Sequence, residues 1–382
     1  MARPLAIVVG HIGKLPYAGM SLYILHHIGG LQALGYDVHY VERQNTRNQL
    51  YDLTSDSMTD DPTCAVGYLE AMLGRFGVLR WTFIDLWNVT HGADWRSLTA
   101  AVDAADFVLT IADATWFDEL ERCPRRAFID GDPMFNQVAM AVGGNSRAEA
   151  IANYPVLFTY ARRMGQPDCT VPSAGRHWIP TNPVVVSDWW TVTPIRDALP
   201  VTALMHWAAG SEAILDGVSY GHKDREFERF IELPMRSSRR FVLAVGGSAP
   251  RERLSECRWE CINPLKVTRT IDAYREFIDG SFTELGVAKQ AYVASKSGWF
   301  SDRSACYLAA GRPVLHQDTG FDEWLPAGEG VLKFSTVDDA VVGLRELESN
   351  YASHARAARM IAHEYLEAAP TIGRLLDQAG FR

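Results

Sequence analysis

Four consecutive polar residues, Ser301-Asp302-Arg303-Ser304, stand where a glycine-containing turn runs into a short helix, and they bring two hydroxyls, a carboxylate and a guanidinium together. The first turn of a helix leaves backbone N–H groups without partners and carries partial positive charge, so this segment suits an anion such as a diphosphate. The plainer reading is an ordinary capped helix. A second group with chemistry is Asp130-Gly131-Asp132-Pro133, which closes the apolar run Arg126 to Asp130. A carboxylate there can take a proton from a hydroxyl as a general base. Otherwise Asp130 and Asp132 simply shape the turn before Pro133.

These residues need elements to position them, and the chain supplies an alternation of strands and helices. Leu5 to Gly10 reads as a buried strand, His11 to Ala18 as a loop, Met20 to Leu34 as a helix stopped by Gly35, and Asp37 to Glu42 as a second strand. That is a βαβ unit, the beginning of a doubly wound sheet. A helix at Val66 to Arg75, a strand at Arg80 to Asp85, a helix at Trp95 to Ala104 and a strand at Phe107 to Ile111 continue it. Arg126 to Asp130 follows as a strand, so its aspartates fall at a strand C-terminus, where such sheets place their chemistry.

Prolines then gather at 172, 180, 183, 194 and 200, and the stretch from Pro172 to Pro200 reads as a crossing between two domains. The pattern restarts with a strand at Val201 to His206, a helix at Asp224 to Leu233, a strand at Arg240 to Val245 and a Gly246-Gly247 turn. A helix at Ile271 to Phe277 and a strand at Ala291 to Ser295 come next. The helix from Asp302 stops at Gly311, before a strand at Pro313 to Leu315. Helices at Val337 to Glu348, Tyr351 to Glu367 and Thr371 to Ala379 close the chain. The expected domains are residues 1–190 and 198–365, with 366–382 packing back towards the first.

Composition narrows the possibilities. At 382 residues two domains are expected, and 47% hydrophobic with 22% charged residues is ordinary for a globular protein. A net charge of −9 argues against a broad electrostatic grip on nucleic acid. No apolar run approaches the roughly 18 residues of a membrane span, and no signal-peptide pattern precedes the first strand, so a cytoplasmic location is expected. The six cysteines form no framework, and the Cys257/Cys261 pair has no partner pair to complete a zinc site, so no metal is expected. The loop from Gly10 to Pro16 lacks the G-x-G-x-x-G spacing of a dinucleotide-binding dehydrogenase.

The block from Ser297 to Val314, SGWFSDRSACYLAAGRPV, resembles the C-terminal signature of a large bacterial group of GT-B glycosyltransferases. Gln317 to Phe321, Pro326 to Gly330, Tyr17 to Met20, Leu34 to Val38 and Asp130 to Pro133 extend the resemblance over nearly the whole chain. It implies an α/β fold of two Rossmann-like doubly wound domains facing across a cleft. It also implies metal-independent transfer of a sugar from a nucleotide-diphosphate sugar to an acceptor hydroxyl. The donor is then a substrate and no cofactor is expected. The acceptor is left open among a small molecule, a lipid or glycan and a modified nucleic-acid base, the last disfavoured by the net charge.

The resemblance also assigns roles. Lys223 would hold the departing diphosphate, with Ser301, Arg303 and Ser304 of the polar turn beside it. Gly19 would let the first loop approach a sugar, and Gly247 would lie against the nucleotide base. His11, Asp130 and Asp132 are the expected catalytic residues on the acceptor side. Many retaining members carry two glutamates seven residues apart, but here the two places hold Gly298 and Cys306, so Asp302, Asp322 or Glu323 would take the ribose. Two other classes fit the same shape: a nucleotide-sugar epimerase, and a catalytically silent module that binds a nucleotide or a partner.

Overall fold

The computed structural model describes residues 3–195, 198–208 and 210–382. Residues 196 and 197, part of the expected crossing, lie outside them. In the first domain β1 (Leu5–Val9), α1 (Ala18–Ala33) and β2 (Asp37–Arg43) form the expected βαβ unit. A hairpin of β3 (Leu50–Asp52) and β4 (Ser57–Thr59) follows, then α2 (Pro62–Arg75), β5 (Arg80–Ile84), β6 (Thr90–Gly92), α3 (Trp95–Ala104) and β7 (Phe107–Ile111). The domain ends with β8 (Arg126–Asp130), α4 (Phe135–Val142), α5 (Ser146–Ala152), β9 (Val156–Thr159) and β10 (Trp178–Pro180). The sheet order is β10-β9-β8-β7-β1-β2-β5-β6, parallel except for the antiparallel edge strand β6. Its central strands are near-continuous apolar runs because helices cover both faces.

The second domain begins with β11 (Val201–His206), a hairpin of β12 (Ala213–Leu215) and β13 (Val218–Tyr220), and α6 (Lys223–Phe227). It continues through β14 (Phe241–Gly246), α7 (Arg251–Glu256), β15 (Trp259–Ile262), α8 (Leu265–Thr268), α9 (Ile271–Asp279) and β16 (Thr283–Gly286). α10 (Gln290–Ala294), α11 (Asp302–Ala309), β17 (Val314–Gln317), β18 (Val331–Phe334), α12 (Val337–Tyr365) and α13 (Ala368–Gln378) complete it. All six main strands are parallel in the order β15-β14-β11-β16-β17-β18.

Three expectations need correction here. Ala291 to Ser295 is helix α10, and the strand at that point of the sheet is β16, eight residues earlier. The helix expected from Asp224 to Leu233 is the five-residue α6 followed by separate single turns at Glu228–Phe230 and Leu233–Arg236. The two helices expected between Val337 and Glu367 are one element broken by a kink at Asn350, whose φ of −130° and ψ of 29° are not helical.

The domains share a core. One apolar cluster runs from Leu22, Ile24 and Ile28 of α1 through Tyr274 of α9 and Ala305 and Leu308 of α11 to Ile372 and Leu376 of α13. α1 has glycines at its closest crossings: a Cβ on Gly30 would lie 2.5 Å from Ile372 Cδ1 and 3.0 Å from the Ala368 carbonyl carbon. Gly30→Leu is therefore expected to push α13 off α1 and to cost about 1–3 kcal/mol, the usual price of overpacking. Urea unfolding checks this, and a midpoint equal to that of the wild type would refute it. Among the described residues no helix is long and apolar enough to cross a membrane.

Candidate functional site

In both sheets the parallel strands end on the same cleft, and the side chains that line it come from the loops just beyond those ends. A cavity of ≈ 730 Å³ is lined by His11 and Lys14 after β1, Asp113 after β7, Asp132 after β8, Lys223 of α6, Lys289 beside α10, and Ser301, Asp302 and Arg303 at the start of α11. A second cavity of ≈ 750 Å³ is lined by Gly246 and Gly247 at the end of β14, Asn263 and Leu265 after β15, Tyr51 and Asp56 of the β3–β4 hairpin, and Gly19. The two share Met20, Met205, His206, Asp302 and Arg303, so they form one continuous cleft. Crevices outside strand C-termini are where open α/β sheets bind ligands.

Lys223 is the cation in the cleft without an anchor. It makes no hydrogen bond or ion pair among the described residues, although Glu284 and Asp302 lie close enough to favour its charge. Burial, with Arg303 and Lys289 beside it, lowers its pKa from 10.5 to about 7. An amine held in that state gains most from an arriving anion. The first residues of both α6 and α11 face the cavity, and α11 is the longer of the two helices. Ser301 is the N-cap of α11 and is buried, and its hydroxyl makes no cap bond.

Arg303 lines both cavities, but its Nε donates to Glu284 Oε1 at 2.5 Å, and Glu284 is fully buried in β16. Ser304 does not face the cleft. Its hydroxyl donates to Glu284 Oε2 at 2.6 Å, so it serves the buried pair rather than an anion. The Asp302 carboxyl points to the junction of the two cavities, and burial raises its pKa.

His11 is 4% exposed, lines the first cavity, and neither ring nitrogen has a hydrogen-bond partner. Burial lowers its pKa to about 4, so the ring is neutral at pH 7. It is held there by the loop around it. Glu42, buried at the end of β2, accepts from the backbone N–H of Gly13 at 2.9 Å and of Lys14 at 2.5 Å, and from Tyr40 at 2.7 Å. The Lys14 ammonium in turn pairs with Asp113.

The remaining expected residues divide sharply. Asp130 is fully buried and away from the cleft. Its carboxylate accepts from Asn136 at 2.7 Å, Gln137 at 2.6 Å, Thr159 at 2.8 Å and the Asp132 backbone N–H at 3.1 Å. It folds the turn and has no lone pair facing a substrate. Asp132 does reach the cavity, but its carboxylate is taken by Lys289 and Tyr292. Glu323 lines neither cavity; its side chain is 52% exposed and 2.7 Å from Arg163 Nε. Gly247, at φ +77° with a would-be Cβ 2.6 Å from His206, has to be glycine. Gly19 lines the second cavity, yet a Cβ there would meet only ordinary contact, 3.6 Å from the Tyr274 hydroxyl.

The two positions that lack glutamate have physical explanations. Gly298 has φ +75°, and a Cβ on it would lie 2.7 Å from Arg163 Cγ. Cys306 is buried with its Sγ 3.8 Å from His26 Nε2, inside the shared core. The cleft residues absent from the sequence reading are Lys14, Asp113, His206, Lys289 and Tyr292. Only Lys14, in a loop directly after the first strand, gave a signal that could have been read.

Comparison with solved structures fixes the fold. An alpha-glucosyltransferase in complex with UDP and a 13-mer DNA containing an HMU base aligns over 100% of both chains, with TM-score 0.59 and 8% identity. HepE from Anabaena in complex with UDP and glucose aligns over 99% of this chain and 100% of its own, with TM-score 0.58 and 8% identity. Sucrose-phosphate synthase from Thermosynechococcus elongatus aligns over 99% of each chain at TM-score 0.51 and 13% identity. The fold is GT-B, two doubly wound domains facing across a cleft. No protein-family profile matches the chain. No curated protein matches it in sequence either.

Proposed function

We propose that the protein is a glycosyltransferase that moves a sugar from a nucleotide-diphosphate sugar to an acceptor hydroxyl. The observation that carries this reading is Lys223, a cation without a partner among the described residues, facing the same cavity as the α11 N-terminus with Ser301 and Arg303. In glycosyl transfer negative charge grows on the departing diphosphate, and a preorganised cation with aimed N–H donors stabilises it as it develops. The nucleoside then occupies the second cavity, against Gly246, Gly247 and Asn263. The acceptor enters beside His11, whose neutral ring can take or order a hydroxyl proton. The solved structures of like fold in complex with UDP support a nucleotide-sugar donor. In this reading Lys223, Arg303 and the helix N–H groups meet the diphosphate charge without a metal ion.

The test is a thermal-shift screen of the purified protein against UDP, GDP, ADP, CDP and dTDP and their sugar conjugates, followed by turnover with hydroxyl acceptors. One nucleotide at 100 times its Kd is expected to stabilise the fold by about 2.7 kcal/mol. No shift with any of them would overturn the proposal, and binding without sugar transfer or hydrolysis would mark a nucleotide-binding module instead.

A further inference from the structure

One cluster in the wall of the first cavity spans the cleft, its polar groups bonded to one another. Lys289 of the second domain donates to both Asp132 oxygens of the first at 2.7 Å, and the Tyr292 hydroxyl donates to Asp132 Oδ1. One residue back, the Gly131 carbonyl accepts from Trp299 Nε1 at 3.1 Å. Three residues on, Phe135 carries the Lys289 ammonium 4.4 Å from its ring centroid and stacks on His222 at 5.1 Å and 15°. His222 immediately precedes Lys223. The loop from Gly131 to Phe135 thus reaches from the first domain to both ends of the second domain's anion site.

A general base draws a proton best when its carboxylate charge is not already committed to a cation. Asp132 instead spends its charge on a cation and a phenol from the opposite domain. We propose that Asp132 is a positioning residue, which through Lys289 and Tyr292 keeps the two domains in the register that sets Lys223 against the donor. The kinetic part of this inference rests on the transferase reading; the structural part does not.

A double-mutant cycle with two readouts tests it. In the ligand-free protein, Asp132→Asn and Lys289→Met are each expected to speed amide hydrogen exchange in 131–136 and in 289–299, that is, in both domains at once. Unchanged exchange would show that the pair holds nothing and would overturn the inference. In turnover with the nucleotide-sugar found by the screen, each variant is expected to lose about tenfold in kcat/KM, and the double variant no more than either alone, because both remove one interaction. Lys289→Arg is expected to recover most of the rate. The pH–rate profile of Asp132→Asn should keep the acidic limb of the wild type. A loss of about 10²–10⁴-fold in kcat with that limb gone, beside a nearly normal Lys289→Met, is the pattern of a general base and would overturn the proposal. So would additive losses. If UDP and the other nucleotides fail to bind the wild type, the transferase reading fails, and the exchange readout still decides the positioning role.

Discussion

Lys223→Met is expected to lower sugar transfer by about 10²–10³-fold, the range for removing one preorganised stabiliser of developing charge, while the protein folds as before. Among the described residues Lys223 makes no hydrogen bond or ion pair, so little native structure depends on it. Its titration supplies a sharper signature. The pKa is lowered to about 7 in the folded protein against 10.5 for the free side chain. Between those two values the unfolded chain binds more protons than the native state, so wild-type stability rises with pH across that window, and in Lys223→Met this contribution is absent. Binding acts in the opposite direction. A diphosphate beside the amine favours the ammonium form, so donor binding takes up a proton above about pH 7, and affinity falls by up to about tenfold per pH unit from there. Calorimetry at pH 8 in two buffers of different ionisation enthalpy measures that proton. An uptake of zero in the wild type, or the same uptake in Lys223→Met, would remove Lys223 from the diphosphate site.

The largest effect on stability is expected from Arg303→Met. Glu284 lies fully buried in the middle of the second sheet, and Arg303 is its charged partner. Removing one member of a buried pair strands the other charge, which costs about 3–5 kcal/mol. At about 1.2 °C per kcal/mol for a chain of 382 residues that unfolds as one unit, melting should fall by roughly 5 °C. Adding Glu284→Gln should return much of that loss, because a neutral amide can still accept from the Ser304 hydroxyl. Equal melting of the single and double variants would show that the charge on Glu284 is not what Arg303 compensates. Since Arg303 already answers a carboxylate, it adds less net charge to the anion site than Lys223 does, and its variant should reduce donor affinity less than Lys223→Met at equal folded fraction.

Much of this arrangement could be read from the residues because central parallel strands are continuous apolar runs. Leu5 to Val9, Phe107 to Ile111 and Arg126 to Asp130 announced themselves in that way, and α11 was marked by its polar start and by Gly311. The reading failed where a buried polar residue interrupted the run. Thr283-Glu284-Leu285-Gly286 does not look like a core strand until Arg303 and Ser304 are seen to satisfy the glutamate. Ala291 to Ser295, a short apolar stretch that periodicity cannot tell from a helix, reads as the strand in its place. Lys289 and Tyr292 were lost with that error. Asp130 and Asp132 illustrate a different limit. Two residues apart in one turn, they have the same chemistry in sequence, and only the fold shows that one is enclosed by Asn136, Gln137 and Thr159 while the other reaches across the cleft.

The docking of α13 on the first domain has a consequence for how this protein can be taken apart. Ile372 and Ala368 fill the notch at Gly30, and Phe381 lies on Phe107 of the first sheet at 5.5 Å and 15°. A fragment ending near residue 190 would contain every strand of that sheet and still lack one wall of its core. In a chain still being synthesised, the first domain is expected to carry an exposed apolar groove at Gly30 until α13 is made. The two halves are separable in topology but not in folding, and neither should be expected to behave as a stable, soluble piece when expressed alone.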